Sequence, residues 1–273
     1  MRLLILGDVV GRSGREMVLR ELPRLRERYE IDFAIVNGEN AAGGFGISES
    51  IFNQLRDAGA DVVTTGNHVW DQREALVFID REPNLLRPLN FPKGTPGKGA
   101  GVFTARNNAQ VLVINAMGRI YMDPMDDPFA AIDEELALCP VGDVCDVAII
   151  DFHAEATSEK QAIGHYFDGR VSCVFGTHTH VPTADYQILD GGTAYMSDVG
   201  MCGDYNSVIG MDKTEPVNRF VRKIPTSRFT PALGEATISG LTVEVNDETG
   251  HADKIAPLRM GARLEPALPD FWQ

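Results

Sequence analysis

Met1-Arg2-Leu3-Leu4-Ile5-Leu6-Gly7-Asp8 decides how the rest of the chain is read: it is an apolar run of strand length, closed by a glycine and an acid. Because the run is apolar at every position, it reads as a strand covered on both faces. Val18, Leu22, Leu25 and Tyr29 then recur at helical spacing, so the strand feeds an amphipathic helix. Phe33 to Val36 returns to strand. Ser48 reads as the N-cap of a second helix that buries Ile51, Phe52 and Leu55, and Asp61-Val62-Val63 as a third strand. Asp71 with Glu74 three residues on reads as the capping box of a third helix. Apolar strands alternating with helices in this order require a sheet with helices packed on it.

Past this half the character changes. Phe91 to Gly99 is rich in turn residues, and Gly101 to Ala105 with Gln110 to Asn115 read as paired strands that open a second sheet. Val147 to Phe152, a helix opened by a Ser158/Gln161 capping box, and Val171 to Phe175 restore the strand-helix-strand rhythm. Thr183 to Leu189, Thr193 to Met196 and Thr237 to Val245 read as antiparallel strands, and Arg263 to Gln273, with two prolines, as an irregular tail. The expected architecture is a single α/β domain over residues 1–273, a two-sheet β-sandwich flanked by helices.

Composition bounds what such a domain can bind. With 44% hydrophobic residues in 273, the chain can build a core without disulfides. Lys and Arg number 25 against 39 Asp and Glu, a net charge of −14, which disfavours duplex nucleic acid as a partner. A small anion remains admissible if something locally positive receives it. The apolar runs are far shorter than the roughly 20 residues that span a bilayer, and the first is too short for a signal segment, so no membrane association is expected. Cys139, Cys145, Cys173 and Cys202 form no Cys-x-x-Cys pair, so reduced thiols in a cytoplasm are expected. Scattered apolar surface residues leave homo-oligomerisation open.

The chemically capable residues fall just past the predicted strand ends. Asp8 follows the first strand, Glu39 and Asn40 the second, and Asn67 and His68 the third, while His153 and the pair His178 and His180 follow two later ones. In an open α/β sheet the carboxyl ends of the strands form the ligand-binding edge, so these five segments deliver polar side chains to one crevice. Each element alone is ordinary turn or cap chemistry. Yet four of the six histidines in the chain occupy these places, which chance explains poorly. Carboxylates, amides and imidazoles together suit divalent manganese, iron, zinc or cobalt. Glycines before Asp8, Glu39 and Asn67, and two residues before His178, read as tight turns that aim the side chains.

The ordered series Gly7-Asp8, Gly38-Glu39-Asn40, Gly66-Asn67-His68, His153 and Gly176-Thr177-His178-Thr179-His180 resembles the calcineurin-like binuclear metallophosphoesterases, and most closely their YmdB-type bacterial branch. The likeness extends through Asp198-Val199-Gly200-Met201-Cys202-Gly203 to about Arg259. It departs from the wider superfamily, with Val10 where a histidine ligand is usual and Glu39 where the bridging residue is usually Asp; in the YmdB-type branch the counterpart of Asn40 joins the cluster instead. Val69 stands where an acid often follows Gly-Asn-His.

The resemblance implies the αββα fold and two divalent metal ions, iron or manganese first, zinc or cobalt next. Asp8, Glu39, Asn40 and His180 would hold one and Glu39, Asn67, His153 and His178 the other, with Glu39 bridging. It further implies a phosphodiesterase that opens 2′,3′-cyclic nucleotides such as 2′,3′-cyclic AMP to 3′-phosphates, by attack of hydroxide generated at the metals with His68 as proton donor. Two alternatives stand beside it: a broader phosphomonoesterase or phosphodiesterase, and a metal-stabilised regulatory binding protein. His165 and His251 read as solvated, Cys202 as a buried structural thiol, and Gly94 to Gly99 as a plain turn lacking the Gly-Lys-Ser/Thr of a P-loop.

Overall fold

The computed structural model describes residues 1–272. In chain order its elements are β1 (Arg2–Leu6), β2 (Asp8–Val9), α1 (Gly11–Arg28), β3 (Phe33–Asn37), α2 (Glu49–Asp57), β4 (Val62–Thr64), α3 (Ala75–Phe78), β5 (Leu85–Leu86), β6 (Ala100–Thr104) and β7 (Gln110–Met117). There follow α4 (Pro128–Leu138), β8 (Val147–His153), α5 (Thr157–Tyr166), β9 (Cys173–Thr177), β10 (Gln187–Ile188), β11 (Ala194–Met196), β12 (Met201–Cys202), α6 (Thr214–Arg222), β13 (Thr237–Val245) and β14 (Ala252–Gly261).

Two six-stranded sheets stack face to face, ordered β14-β13-β1-β3-β4-β5 and β10-β11-β9-β8-β7-β6. In the first, β1, β3, β4 and β5 run parallel; in the second, β7, β8, β9 and β11 do. The apolar runs are continuous because each strand is buried on both faces. Along β1, Leu3 and Ile5 pack with Phe33 and Ile35 against Val113, Ile149 and Phe175 of the second sheet. The alternate residues Leu4 and Leu6 meet Val18 and Leu22 of α1 and Phe52 of α2. On the far side, Ile114 and Ile150 pack against Ile132 of α4 and Ile163 of α5. Helices therefore cover both outer faces, and the αββα sandwich expected from the sequence is the one observed.

Local readings met mixed outcomes. Ser48 caps α2 through its side chain, accepting from Ile51 N. The Asp71/Glu74 box does not form: α3 begins at Ala75, Glu74 makes no cap bond, and Asp71 is engaged elsewhere. Nor does the Ser158/Gln161 box, since α5 begins two residues earlier than that box requires, at Thr157, with Ala156 at the N-cap and no side-chain cap bond. The expected strand from Thr183 to Leu189 shrinks to Gln187–Ile188. Its partner β11 is antiparallel to it but parallel to β9, because the chain returns beside β9 and adds to the parallel ladder. From Arg263 to Trp272 the tail is irregular, although Trp272 is buried against Tyr29; Gln273 lies outside the described residues. All four cysteines are free and buried. His165 is exposed, whereas His251 is half-buried with Nδ1 unpartnered among the described residues, so it is not the solvated side chain expected. No helix among the described residues is long and apolar enough to cross a membrane.

Candidate metal centre

The parallel strands of both sheets end at one edge, and the polar residues that follow them meet there. Asp8 lies just past β1, Glu39 and Asn40 just past β3, Asn67 and His68 beyond β4, His153 at the last position of β8, and His178 and His180 beyond β9. Donor atoms of Glu39, His153 and His178 lie within 4.8 Å of one another, as do those of Asp8, Glu39 and His180, and Glu39 belongs to both groups. Asn67 Oδ1 is 2.9 Å from His153 Nε2, and Asn40 Nδ2 is 3.1 Å from His180 Nε2. All seven residues named from their strand-end positions thus converge, with His68 beside them.

Glycine contributes space more than turns. Gly7, Gly38, Gly66 and Gly176 all keep ordinary backbone angles. A Cβ on Gly66 would lie 2.3 Å from both Glu39 Oε2 and His153 Nε2, inside the cluster itself. The left-handed backbone falls instead on His178 (φ +96°) and His180 (φ +65°), residues for which it costs of order 1–3 kcal/mol each. That strain turns both imidazoles into the crevice.

Each histidine has one ring nitrogen engaged outside the cluster. His153 Nδ1 meets Thr177 Oγ1 at 2.9 Å, His180 Nδ1 donates to Ile209 O at 2.8 Å, and His178 Nε2 faces Glu155 Oε2 at 3.2 Å. Thr177 donates its own proton to Asp151, which also receives Thr64 Oγ1 and Asn37 Nδ2, so Thr177 is free to accept from His153. This turns the other ring nitrogens toward the cluster, where His153 Nε2 and His178 Nδ1 face each other at 3.1 Å.

The electrostatics without a cation are accordingly unfavourable. Burial pushes Asp8 up to about 7, only partly opposed by His180 and His153. Burial would raise Glu39 too, yet His153, His68 and His178 outweigh it and hold that carboxyl below the usual range. His153 is pushed up to about 9, Glu39 and Asp8 overriding its burial, and His178 is pushed down to about 3 by burial and by the charge on His153. Asp8 Oδ1 is buried with no hydrogen-bond partner among the described residues. Buried carboxylates, inward-facing ring nitrogens and an orphaned oxygen fit divalent cations, which would displace ring protons and compensate the carboxylates.

A buried clamp sustains the strained histidine loop. Lys160 Nζ, on α5, donates to Thr177 O at 2.8 Å and pairs with Asp198 Oδ2 at 2.6 Å, while the same carboxylate accepts from Thr179 N and Gly200 N. Sequence reading missed both residues, because a lysine in an amphipathic helix carries no local sign that its end is buried. Removing one partner strands the other's charge. Lys160→Met is therefore expected to lower unfolding stability by about 3–5 kcal/mol, read as a reduced urea midpoint at unchanged slope; a midpoint equal to wild type would show that the clamp contributes nothing.

Asp71, also missed as a functional residue, accepts from His68 Nδ1 at 2.9 Å. Spacing was the available signal: an acid three residues beyond a histidine can reach back to its ring. This bond turns His68 Nε2 away from Asp71, and His68 lines a cleft of about 500 Å³ together with Glu39, Asn40, His178 and His180. Phe45 sits edge-on to the imidazole with ring centroids 5.2 Å apart.

Donors of this kind gathered at the strand ends of a helix-flanked double sheet are the mark of the calcineurin-like metallophosphoesterases. Within that class the chain belongs to the YmdB-like family, whose family model, described as "YmdB-like protein", matches residues 4–258. It is 50% identical over 255 residues to a Bacillus subtilis (strain 168) protein named 2′,3′-cyclic-nucleotide 2′-phosphodiesterase, covering 93% of this chain and 95% of that one. Among solved structures it resembles a hypothetical protein from Thermus thermophilus, at TM-score 0.88 and 42% identity, covering 96% of this chain and 100% of that one. A structure described as a novel phosphatase from Mycoplasma pneumoniae also matches at TM-score 0.88, with 35% identity over 100% of this chain and 95% of that one.

Proposed function

We propose that this protein is a metal-dependent phosphodiesterase that hydrolyses 2′,3′-cyclic nucleotides at the 2′ oxygen to leave 3′-phosphates. The observation that carries the reading is that Glu39 belongs to both groups of donor atoms, the arrangement a shared bridging carboxylate requires. The identity to the Bacillus subtilis 2′,3′-cyclic-nucleotide 2′-phosphodiesterase supports the choice of substrate. Asp8, Glu39, Asn40 and His180 would hold one cation, and Glu39, Asn67, His153 and His178 a second, iron or manganese before zinc or cobalt. When bound, such a pair supplies positive charge against the phosphoryl oxygens and water whose pKa falls from about 15.7 toward about 7. Asp8 and Glu39 together carry less charge than two divalent ions would bring, so with both bound this acidic protein could accept a phosphodiester.

The chain's own contribution is proton delivery and orientation. Hydrolysis forms one P–O bond to water oxygen and breaks the P–O2′ bond, so the departing 2′ oxygen must gain a proton. His68, lining the cleft with Nδ1 held by Asp71, presents Nε2 for that transfer. An imidazole suits the task because it can give up and regain a proton at one nitrogen while the other stays hydrogen-bonded.

Protein reconstituted with Mn²⁺ or Fe²⁺ is expected to convert 2′,3′-cyclic AMP to 3′-AMP, and to do so better than it cleaves nitrophenyl phosphate monoesters. Hydrolysis of monoesters alone would establish the phosphomonoesterase alternative, and inactivity on all of them with metals demonstrably bound would favour a binding role. Asp71→Ala is expected to lower kcat by roughly 10- to 100-fold with little change in KM, since it removes the acceptor that seats the imidazole without touching the phosphate. An unchanged kcat would remove Asp71 from the orientation of His68.

A further inference from the structure

The cleft beside the cluster has two unlike linings. Glu39, Asn40, His68, Glu155, His178, Thr179 and His180 form the polar part; Val208, Ile209, Met211, Pro216, Phe220 and Phe229 supply an apolar part, and Phe45, edge-on to His68, joins the two. Among the described residues no Lys or Arg lines it. A phosphate group alone has no use for six apolar side chains, and an apolar surface left open to water gains free energy when a flat apolar ligand covers it. Phe220 is 73% exposed and Ile209 52% exposed at this mouth.

This lining is held in place. Ile209 sits at φ +46°, a strained angle for a β-branched residue, and its carbonyl accepts the His180 Nδ1 proton at 2.8 Å, so the apolar turn is tied directly to the metal-site histidine. Glu215, at the start of α6, accepts from Arg219 Nε at 2.7 Å, Thr226 N at 2.9 Å and Ser227 Oγ at 3.2 Å, fastening the helix to the segment that carries Phe229. The Arg219 guanidinium lies over the Phe229 ring, 4.0 Å from its centroid. Such bracing fixes an aromatic surface in advance of binding, which lowers the entropy lost when a ligand docks.

We propose that this braced apolar lining, with Phe220 and Phe229 as its aromatic faces, is the nucleobase subsite of the enzyme. It rests on the phosphodiesterase reading, because the base is carried by the same ribose whose cyclic phosphate lies at the cluster. The subsite recognises the base by its face, not by a hydrogen-bonded edge, since the six side chains offer no polar atom. Stacking of this kind tolerates any base and favours the larger face of a purine.

The test compares kcat/KM for 2′,3′-cyclic AMP with that for ethylene phosphate, which keeps the five-membered cyclic diester but has neither ribose nor base. Wild type is expected to prefer 2′,3′-cyclic AMP. In Phe220→Ala the ratio of the two values falls by roughly tenfold, chiefly through KM, while Phe220→Trp retains it. A ratio unchanged in Phe220→Ala overturns the subsite, as does a wild-type preference between 2′,3′-cyclic AMP and 2′,3′-cyclic GMP of more than about a hundredfold, which edge recognition would require. Should metal-loaded wild type cleave neither compound, it is the phosphodiesterase reading that fails. Calorimetric binding of 3′-AMP still decides the subsite in that event, weakened roughly tenfold in Phe220→Ala if the base stacks there and unchanged if it does not.

Discussion

Glu39→Gln is expected to lose metal affinity by more than roughly 100-fold and turnover of 2′,3′-cyclic AMP by at least about 10³-fold. The residue stands at the junction of the two donor groups, so one substitution weakens both positions together. Replacing a residue that only orients a ligand already costs about 10- to 100-fold in metal affinity or activity, and a shared ligand must exceed that. Each 1.36 kcal/mol of lost transition-state stabilisation is about tenfold in rate, and metal charge on a phosphoryl group supplies several kcal/mol. The fold should survive, because a Gln oxygen can still accept from His68 N as Glu39 Oε2 does now. Elemental analysis, turnover and a thermal melt of the same preparation separate the terms. A variant that keeps its full metal complement and turns over normally would falsify the bridging role.

His68→Ala is expected to behave in the opposite way toward metal, retaining it while losing roughly 10²–10⁴-fold in kcat. No donor group of the cluster includes the His68 ring, whose Nδ1 is taken by Asp71. The size of the loss should depend on the leaving group. A ribose oxygen needs a proton as its bond to phosphorus breaks, whereas 4-nitrophenolate departs without one, so bis(4-nitrophenyl) phosphate should be far less affected than 2′,3′-cyclic AMP. Equal losses on both substrates would mean that His68 positions the phosphate and does not protonate the product. Because Glu39→Gln loses metal and His68→Ala keeps it, the pair also distinguishes a failed site from a failed proton transfer.

The layered fold was legible because burial on both faces leaves a plain trace: continuous apolar runs such as Leu3 to Leu6, separated by helices with one apolar stripe. Convergence of Asp8, Glu39, Asn67, His153 and His178 was legible for a related reason, since parallel strands share a carboxyl end and whatever follows them arrives at one edge. Asp71 reads as a cap because a capping box and a histidine partner demand the same kind of residue at similar spacing. Only the late start of α3, at Ala75, freed Asp71 for His68. The role expected of the glycines was also displaced: at Gly66 the missing side chain makes room, while His178 and His180 carry the unusual backbone.

By itself the order of residues determined which segments become strands, which faces they bury and which polar groups emerge at their ends, because these follow from periodicity and from chain direction along the sheet. Packing between distant segments decided the remainder. It set which imidazole nitrogen turns inward, through Thr177, Ile209 and Glu155. The Lys160–Asp198 clamp and the apolar lining from Val208 to Phe229 arose in the same way. These features depend on hydrogen bonds and contacts between residues far apart in the chain, whose energies exist only once the backbone has brought them within a few ångströms of each other.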